Sequence, residues 1–261
     1  MTSNYSSNRQ MRSVSAKHKY EEKEYHDSRV KLYSEKYYNG GWLAYRFYLK
    51  CFSAAYFRKR GIVLDLGCGP FPSLMDPNIY DNAMYCCVDI SIHSLLNVRN
   101  KCKTDNSHLI LCDAECLPFR NESFDTVVSF GLLHHLFQPR RGIEEIHRVL
   151  NTGGYFVAHE PSIFWNGQME SPHERGFHPK EIYALLEGFV NVRILTQNYP
   201  HLRSLLGLMT RICRRLALDR YEPYMWILGF EVEHIIDVVG LKGTDYLIVA
   251  QNHSRTGKST P

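Results

Sequence analysis

From residue 61 onward, apolar runs of strand length alternate with amphipathic segments of helix length, and few folds accept that alternation. Strands are expected at 61–66, 84–89 (M-Y-C-C-V-D), 108–112, 124–130 (F-D-T-V-V-S-F), 154–160, 190–197 and 244–250. Helices are expected at about 73–78, 91–101, 140–150 and 179–187. Parallel strands need crossover helices, and strands buried on both faces read as near-continuous apolar runs. The pattern predicts an α/β fold with a doubly wound, mostly parallel seven-stranded sheet.

The flanks differ from this body. Residues 1–19 are polar, free of acids and without apolar periodicity, and read as a mobile tail. Residues 20–60 form a helical N-terminal cap, with helices at 24–38 and 42–58 broken at Gly40-Gly41. The main domain is expected over 61–251, with a flexible tail at 252–261. Between its last two strands lies an apolar insertion at about 200–242, too long for a plain loop. Residues 202–218 are apolar at helical spacing and carry Arg203, Arg211, Arg214 and Arg215. Such a basic amphipathic helix either covers an apolar substrate as a lid or rests on an anionic membrane surface; the lid is favoured. No stable membrane insertion is expected, because no apolar run is long enough to span.

Charge and cysteine usage exclude some classes. The 31 Lys and Arg against 27 Asp and Glu give a net charge of only +4 with scattered basic residues, so nucleic acid is not an expected partner. The 8 cysteines lie mostly inside apolar runs without framework spacing, and the N-terminus lacks the apolar core of a signal peptide, which suits a cytoplasmic protein. Cys112 and Cys116 have no second ligand pair at zinc spacing, so no metal site is expected. Oligomeric state is not legible.

Function is written at the strand tips. V-L-D-L-G-C-G-P-F-P places Asp65 near the end of the first strand, followed by Gly67 and Gly69. In open α/β sheets ligands bind outside the carboxyl ends of the strands, where glycine lets backbone approach closely. A dinucleotide fingerprint would have a third glycine at position 72, but Pro72 stands there, which disfavours a dehydrogenase. These residues resemble instead the first motif of class I S-adenosylmethionine (SAM) methyltransferases, with Phe71 at the family's third glycine position. The resemblance continues in order. Asp89 ends the second strand in V-D-I-S, D-A-E-C-L-P-F (113–119) follows the third, F-D-T-V-V-S-F-G-L-L-H-H-L (124–136) covers the fourth, and H-R-V-L-N-T-G-G (147–154) precedes the fifth. It is secure over about 60–160 and is most similar to the small-molecule methyltransferases of the ubiquinone and menaquinone group.

The resemblance implies a Rossmann-like methyltransferase fold and SAM as cofactor. It assigns Asp65 to the methionine ammonium, the backbone of Gly67, Cys68 and Gly69 to the methionine and ribose, and Asp89 with Ile90 to the ribose hydroxyls. Asp113 and Ala114 would meet the adenine, and Phe130 would line the same site. The expected reaction is direct displacement onto a small, partly apolar acceptor, oxygen first, with nitrogen or carbon open. His134 and His135 are candidate general bases, or alternatively pack against cofactor and backbone. Glu160, at the end of the fifth strand, is expected to line the acceptor pocket. The loop 161–180, with Trp165, His173, Glu174, Arg175 and His178, either contributes to the site or is a solvated connection. Tyr37, Tyr38 and Trp42 either close over the methyl donor or pack in the core. A SAM-binding regulatory protein without methyl transfer is the alternative.

Overall fold

The computed structural model describes residues 2–36, 49, 52–53, 55–56, 61–70, 83–101, 107–164, 173–197, 208–209 and 243–253. Its sheet contains β1 (Ile62–Leu66), β2 (Met84–Asp89), β3 (Ser107–Leu111), β4 (Phe124–Phe130), β5 (Leu150–Pro161), β6 (Phe189–Gln197) and β7 (Asp245–Asn252). The seven strands run in the order β3-β2-β1-β4-β5-β7-β6. The first five are parallel, while β7 pairs antiparallel with both β5 and β6. The order reverses at β1 and β4, the switch point beside which α/β sheets bind ligands. This is the Rossmann-like arrangement that the strand pattern predicts.

Helices cover both faces. Leu64 and Leu66 of β1 and Phe156 of β5 pack with Ile143, Ile146 and Val149 of α3 (Pro139–Val149) and Ile182 of α4 (Pro179–Leu185). On the opposite face, Val63, Val128 and Val157 pack with Phe52 and Tyr56, and Cys87 packs with Leu95 and Val98 of α2 (Ile92–Lys101). Burial on both faces explains why the central strands carry no polar alternation.

The N-terminus departs from expectation. A single helix, α1 (Thr2–Lys36), replaces the tail expected at 1–19 and the separate helix at 24–38. Its i,i+4 pairs Lys17–Glu21 and Lys23–Asp27 contribute only about 0.2–0.5 kcal/mol each, so its described side chains must gain the rest by docking. The surface they meet is polar, which is why no apolar stripe marks the helix. At the other end, β7 extends to Asn252, whose amide donates to Leu150 O at 2.8 Å, one residue beyond the expected domain limit. Tyr37, Tyr38, Trp42, Phe71, Pro72, Trp165, the helix expected at 73–78 and nearly all of the 200–242 insertion lie outside the described residues. Among the described residues no helix is long and apolar enough to cross a membrane.

Candidate cofactor and acceptor site

The turn after β1 is stitched to β2. Gly67 and Cys68 both donate their backbone N–H to Val88 O, at 2.8 and 3.0 Å. Gly67 and Gly69 have φ of 71° and 60°, the left-handed region that costs other residues about 1–2 kcal/mol. Their reasons differ. A Cβ on Gly67 would lie 2.9 Å from Leu132 Cδ1, whereas a Cβ on Gly69 would meet no atom within 4 Å. Gly67 lets two turns touch, and Gly69 faces open space.

Three acids stand at neighbouring strand tips. Asp65 is buried at 1% exposure within β1. Asp89 accepts N–H from Gly69 at Oδ2 and from Ser91 at Oδ1, both at 2.8 Å. Burial raises its carboxyl group against the lowering by those N–H donors. Each carboxylate oxygen can accept twice, so both remain able to take a hydroxyl. Asp113, just past β3, accepts the Glu115 N–H at Oδ1, 2.9 Å, and the Lys19 ammonium at Oδ2, 2.5 Å. Ile90 is half-buried, Ala114 is buried, and Phe130 packs against the core around Leu49 and Leu247. Cys68 turns its side chain into the core against Cys87, so only its backbone is placed for a ligand.

The segment 113–119 is held from behind. Glu145 Oε2 accepts the Leu117 N–H at 2.7 Å, and Arg148 donates to Leu117 O and Phe119 O at 3.0 and 2.7 Å. Arg148 also bonds Glu145, and that partner holds the Glu145 carboxyl below its ordinary value despite burial. Arg148 of the R-V-L motif thus buttresses the 113–119 loop, a role its sequence match alone did not give.

The turn after β4 is built on one carboxylate. Glu160, at 0% exposure, accepts N–H from Leu132 and Leu133 at Oε1 (3.1 and 2.8 Å) and from His134 at Oε2 (3.2 Å). The His134 ring adds a contact from Nδ1 to Oε2 at 2.7 Å, while its Nε2 lies 3.6 Å from Glu174. Glu160 therefore sits inside the turn rather than on the wall of an acceptor pocket. Burial lowers the His134 pKa, but the two carboxylates outweigh it and raise the ring to about 9. Burial, followed by the charge of His134, pushes His135 down to about 4. Its Nδ1 faces Glu22 of α1 at 3.1 Å.

Helix α1 crosses this carboxyl edge on its polar side. His18 Nε2 contacts His135 O at 2.8 Å, Lys19 bridges Asp113 and Glu115, Glu21 meets His173 at 2.8 Å, and Asp27 accepts from Ser91 Oγ. None of these α1 residues was singled out from the sequence. The signal was present only as Lys, Glu and His at i, i+3 and i+4 spacing, a pattern also found on any solvated helix.

Comparison with known proteins agrees with this geometry. Residues 64–158 match a family described as a methyltransferase domain. Over 93 residues the chain is 38% identical to the chloroplastic 2-methyl-6-phytyl-1,4-hydroquinone methyltransferase 1 of Oryza sativa, covering 35% of this chain and 28% of that protein. Over 178 residues it is 25% identical to the tRNA U34 carboxymethyltransferase of Campylobacter concisus, covering 67% and 60%. The chain thus spans less than two thirds of these curated relatives. A solved structure of Haemonchus contortus phosphoethanolamine N-methyltransferase 2 with S-adenosyl-L-methionine shares the fold, with a TM-score of 0.62 at 17% identity over 87% of this chain and 57% of that one.

SAM fits the residues present. Among the described residues no atom lies within 4 Å of a Cβ placed on Gly69, and the Asp89 carboxylate beside it has acceptor capacity left for two adjacent hydroxyls. The buried acid at the tip of β1, the left-handed glycine turn and the match over 64–158 make this part of the chain similar to the methyltransferase domains.

Proposed function

We propose that the protein transfers a methyl group from SAM to a small, partly apolar acceptor, oxygen before nitrogen or carbon. The observation that carries this is the row of Asp65, Asp89 and Asp113 at adjacent strand tips around a glycine turn that faces open space. Asp65 would hold the cationic methionine end, Asp89 and Ile90 the ribose, Asp113 and Ala114 the adenine, with Phe130 beside them. When bound, SAM supplies an activated methyl on a sulfonium. The chain's own work is then to orient the acceptor and exclude water.

His134 and Glu160 act as positioning residues, since Glu160 fastens the turn that approaches Gly67 through Leu132. The acceptor's apolar character is supported by the apolar sequence of the insertion at about 200–242, whose ends leave β6 and enter β7 at the carboxyl edge. Buried free Cys68, Cys86 and Cys87 support a reducing, cytoplasmic setting.

A second reading, a SAM-binding protein that does not transfer methyl, has an observation of its own: the His134 ring is already held at Nδ1 by Glu160 and faces Glu174 at Nε2, so it is engaged away from any acceptor. Two measurements separate these. Calorimetry with S-adenosylhomocysteine on the wild type and on Asp89→Ala tests the site; strong binding that the substitution weakens at least tenfold supports it, and no heat with folded wild-type protein overturns both readings. Label transfer from methyl-labelled SAM to phenolic and quinol acceptors then supports the enzyme, and binding without any transfer supports the alternative.

A further inference from the structure

A second site lies where α1 crosses the turn after β4. Most imidazoles there are committed: His134 to Glu160, His18 to the His135 carbonyl and His173 to Glu21. Glu22, His26 and His135 form a further group on α1 and this turn. One ligand atom from each lies within 4.8 Å of the other two. Glu22 Oε2 is 3.4 Å from His26 Nε2 and 3.1 Å from His135 Nδ1, and the two imidazole rings stand edge to face at 83° with centroids 4.8 Å apart. We propose that Glu22, His26 and His135 bind a divalent transition metal of the zinc class.

Three physical points carry the assignment. The first is spacing, because bonds of about 2.0–2.1 Å at tetrahedral angles separate neighbouring ligand atoms by roughly 3.3 Å, close to the two separations involving Glu22. The second is direction. His135 Nδ1 is buried and makes no hydrogen bond although a carboxylate oxygen lies 3.1 Å away, the arrangement expected when both atoms face a third partner. The third is donor chemistry, since two imidazoles and one carboxylate select zinc-like ions over magnesium or calcium, which prefer all-oxygen shells.

The local fold explains how the group forms. Glu22 and His26 are four residues apart on α1 and share a face, while the Glu160 anchor fixes the turn that presents His135. Glu22 is nearly buried, at 5% side-chain exposure, with His26 at 24% and His135 at 14%. A carboxylate this enclosed gains from a cation, and three protein ligands leave a fourth position open. The metal clasps α1 to the sheet edge, a role independent of methyl transfer.

A neighbouring group, His134, His135 and Glu174, shares His135 and competes for the same assignment. Its His134 Nε2 and Glu174 stand 3.6 Å apart, whereas Glu22 lies 3.4 and 3.1 Å from its two imidazole nitrogens, nearer the tetrahedral ligand spacing, so the group containing Glu22 is preferred. The experiment is zinc titration of chelator-treated full-length protein by calorimetry, repeated with His26→Ala, Glu22→Gln and Glu174→Gln. Alanine suits the helix, so His26→Ala should keep the fold, as circular dichroism checks. The expected result is one zinc per chain, an affinity loss of more than about tenfold in His26→Ala and Glu22→Gln, and no change in Glu174→Gln. Zinc should also slow hydrogen exchange over residues 13–31 in the wild type but not in His26→Ala. No zinc uptake, equal uptake by wild type and His26→Ala, or loss confined to Glu174→Gln overturns the proposal.

Discussion

The backbone N–H of Gly69 donates to Asp89 Oδ2 at 2.8 Å, so the glycine turn after β1 and the acid at the tip of β2 form one rigid unit. The two glycines of that turn nonetheless answer to different pressures, and their alanine variants should separate fold from ligand.

Gly67→Ala brings a Cβ to 2.9 Å from Leu132 Cδ1 and 3.0 Å from Leu132 Cβ at a left-handed φ. It is expected to cost about 2–4 kcal/mol of stability, read as a lower urea midpoint. Gly69→Ala carries only the backbone strain, about 1–2 kcal/mol, yet fills the space assigned to the cofactor. It should weaken S-adenosylhomocysteine binding at least tenfold in calorimetry. Equal stability losses with unchanged binding in both would contradict the assignment.

Glu160→Ala removes the acceptor shared by the N–H groups of Leu132, Leu133 and His134. Each buried donor left without a partner costs about 1–3 kcal/mol, so a total loss of about 3–5 kcal/mol is expected. Glu160→Gln keeps one acceptor oxygen and should lose roughly half as much. A chemical denaturation series on the two variants measures the difference, and an unchanged midpoint for Glu160→Ala would refute the anchoring role.

The Glu145–Arg148 pair gives a dependence on acid. The Arg148 hydrogen bond lowers the Glu145 carboxyl below its ordinary 4.5. A lowered folded pKa means that the contribution is complete above the unfolded value and fades as pH falls through the folded one. Arg148→Ala should cost about 2–3 kcal/mol near neutrality through its lost bonds to Leu117 O and Phe119 O. The gap between variant and wild type should narrow in denaturation series run from about pH 6 down to about pH 3. A gap that widens in acid would contradict the pairing.

The sheet and the acids at its tips were legible because each strand carried its own evidence: β-branched apolar residues, then an acid or a glycine at a fixed place. Asp65, Asp89 and Asp113 stand at neighbouring tips as their positions implied. Glu160 was found but given the wrong surroundings, since an acid after a strand looks the same whether it faces a pocket or gathers three backbone N–H groups. The N-terminal half of helix α1 and its docking were missed for a different reason. Docking that uses Lys19, Glu22 and Asp27 against polar groups leaves no apolar period to detect, and its partners lie as far away in sequence as Asp113 and His135. The grouping of Glu22, His26 and His135 was not legible for the same cause, because only folding brings His135 to the i,i+4 pair on α1.

Gln197 at the end of β6 faces Asp245 at the start of β7 across a single rung of the ladder. The stretch between them therefore begins and finishes at one point, and the sheet does not register its length. A change in the number of residues between these two positions therefore leaves the pairing of β6 with β7 untouched.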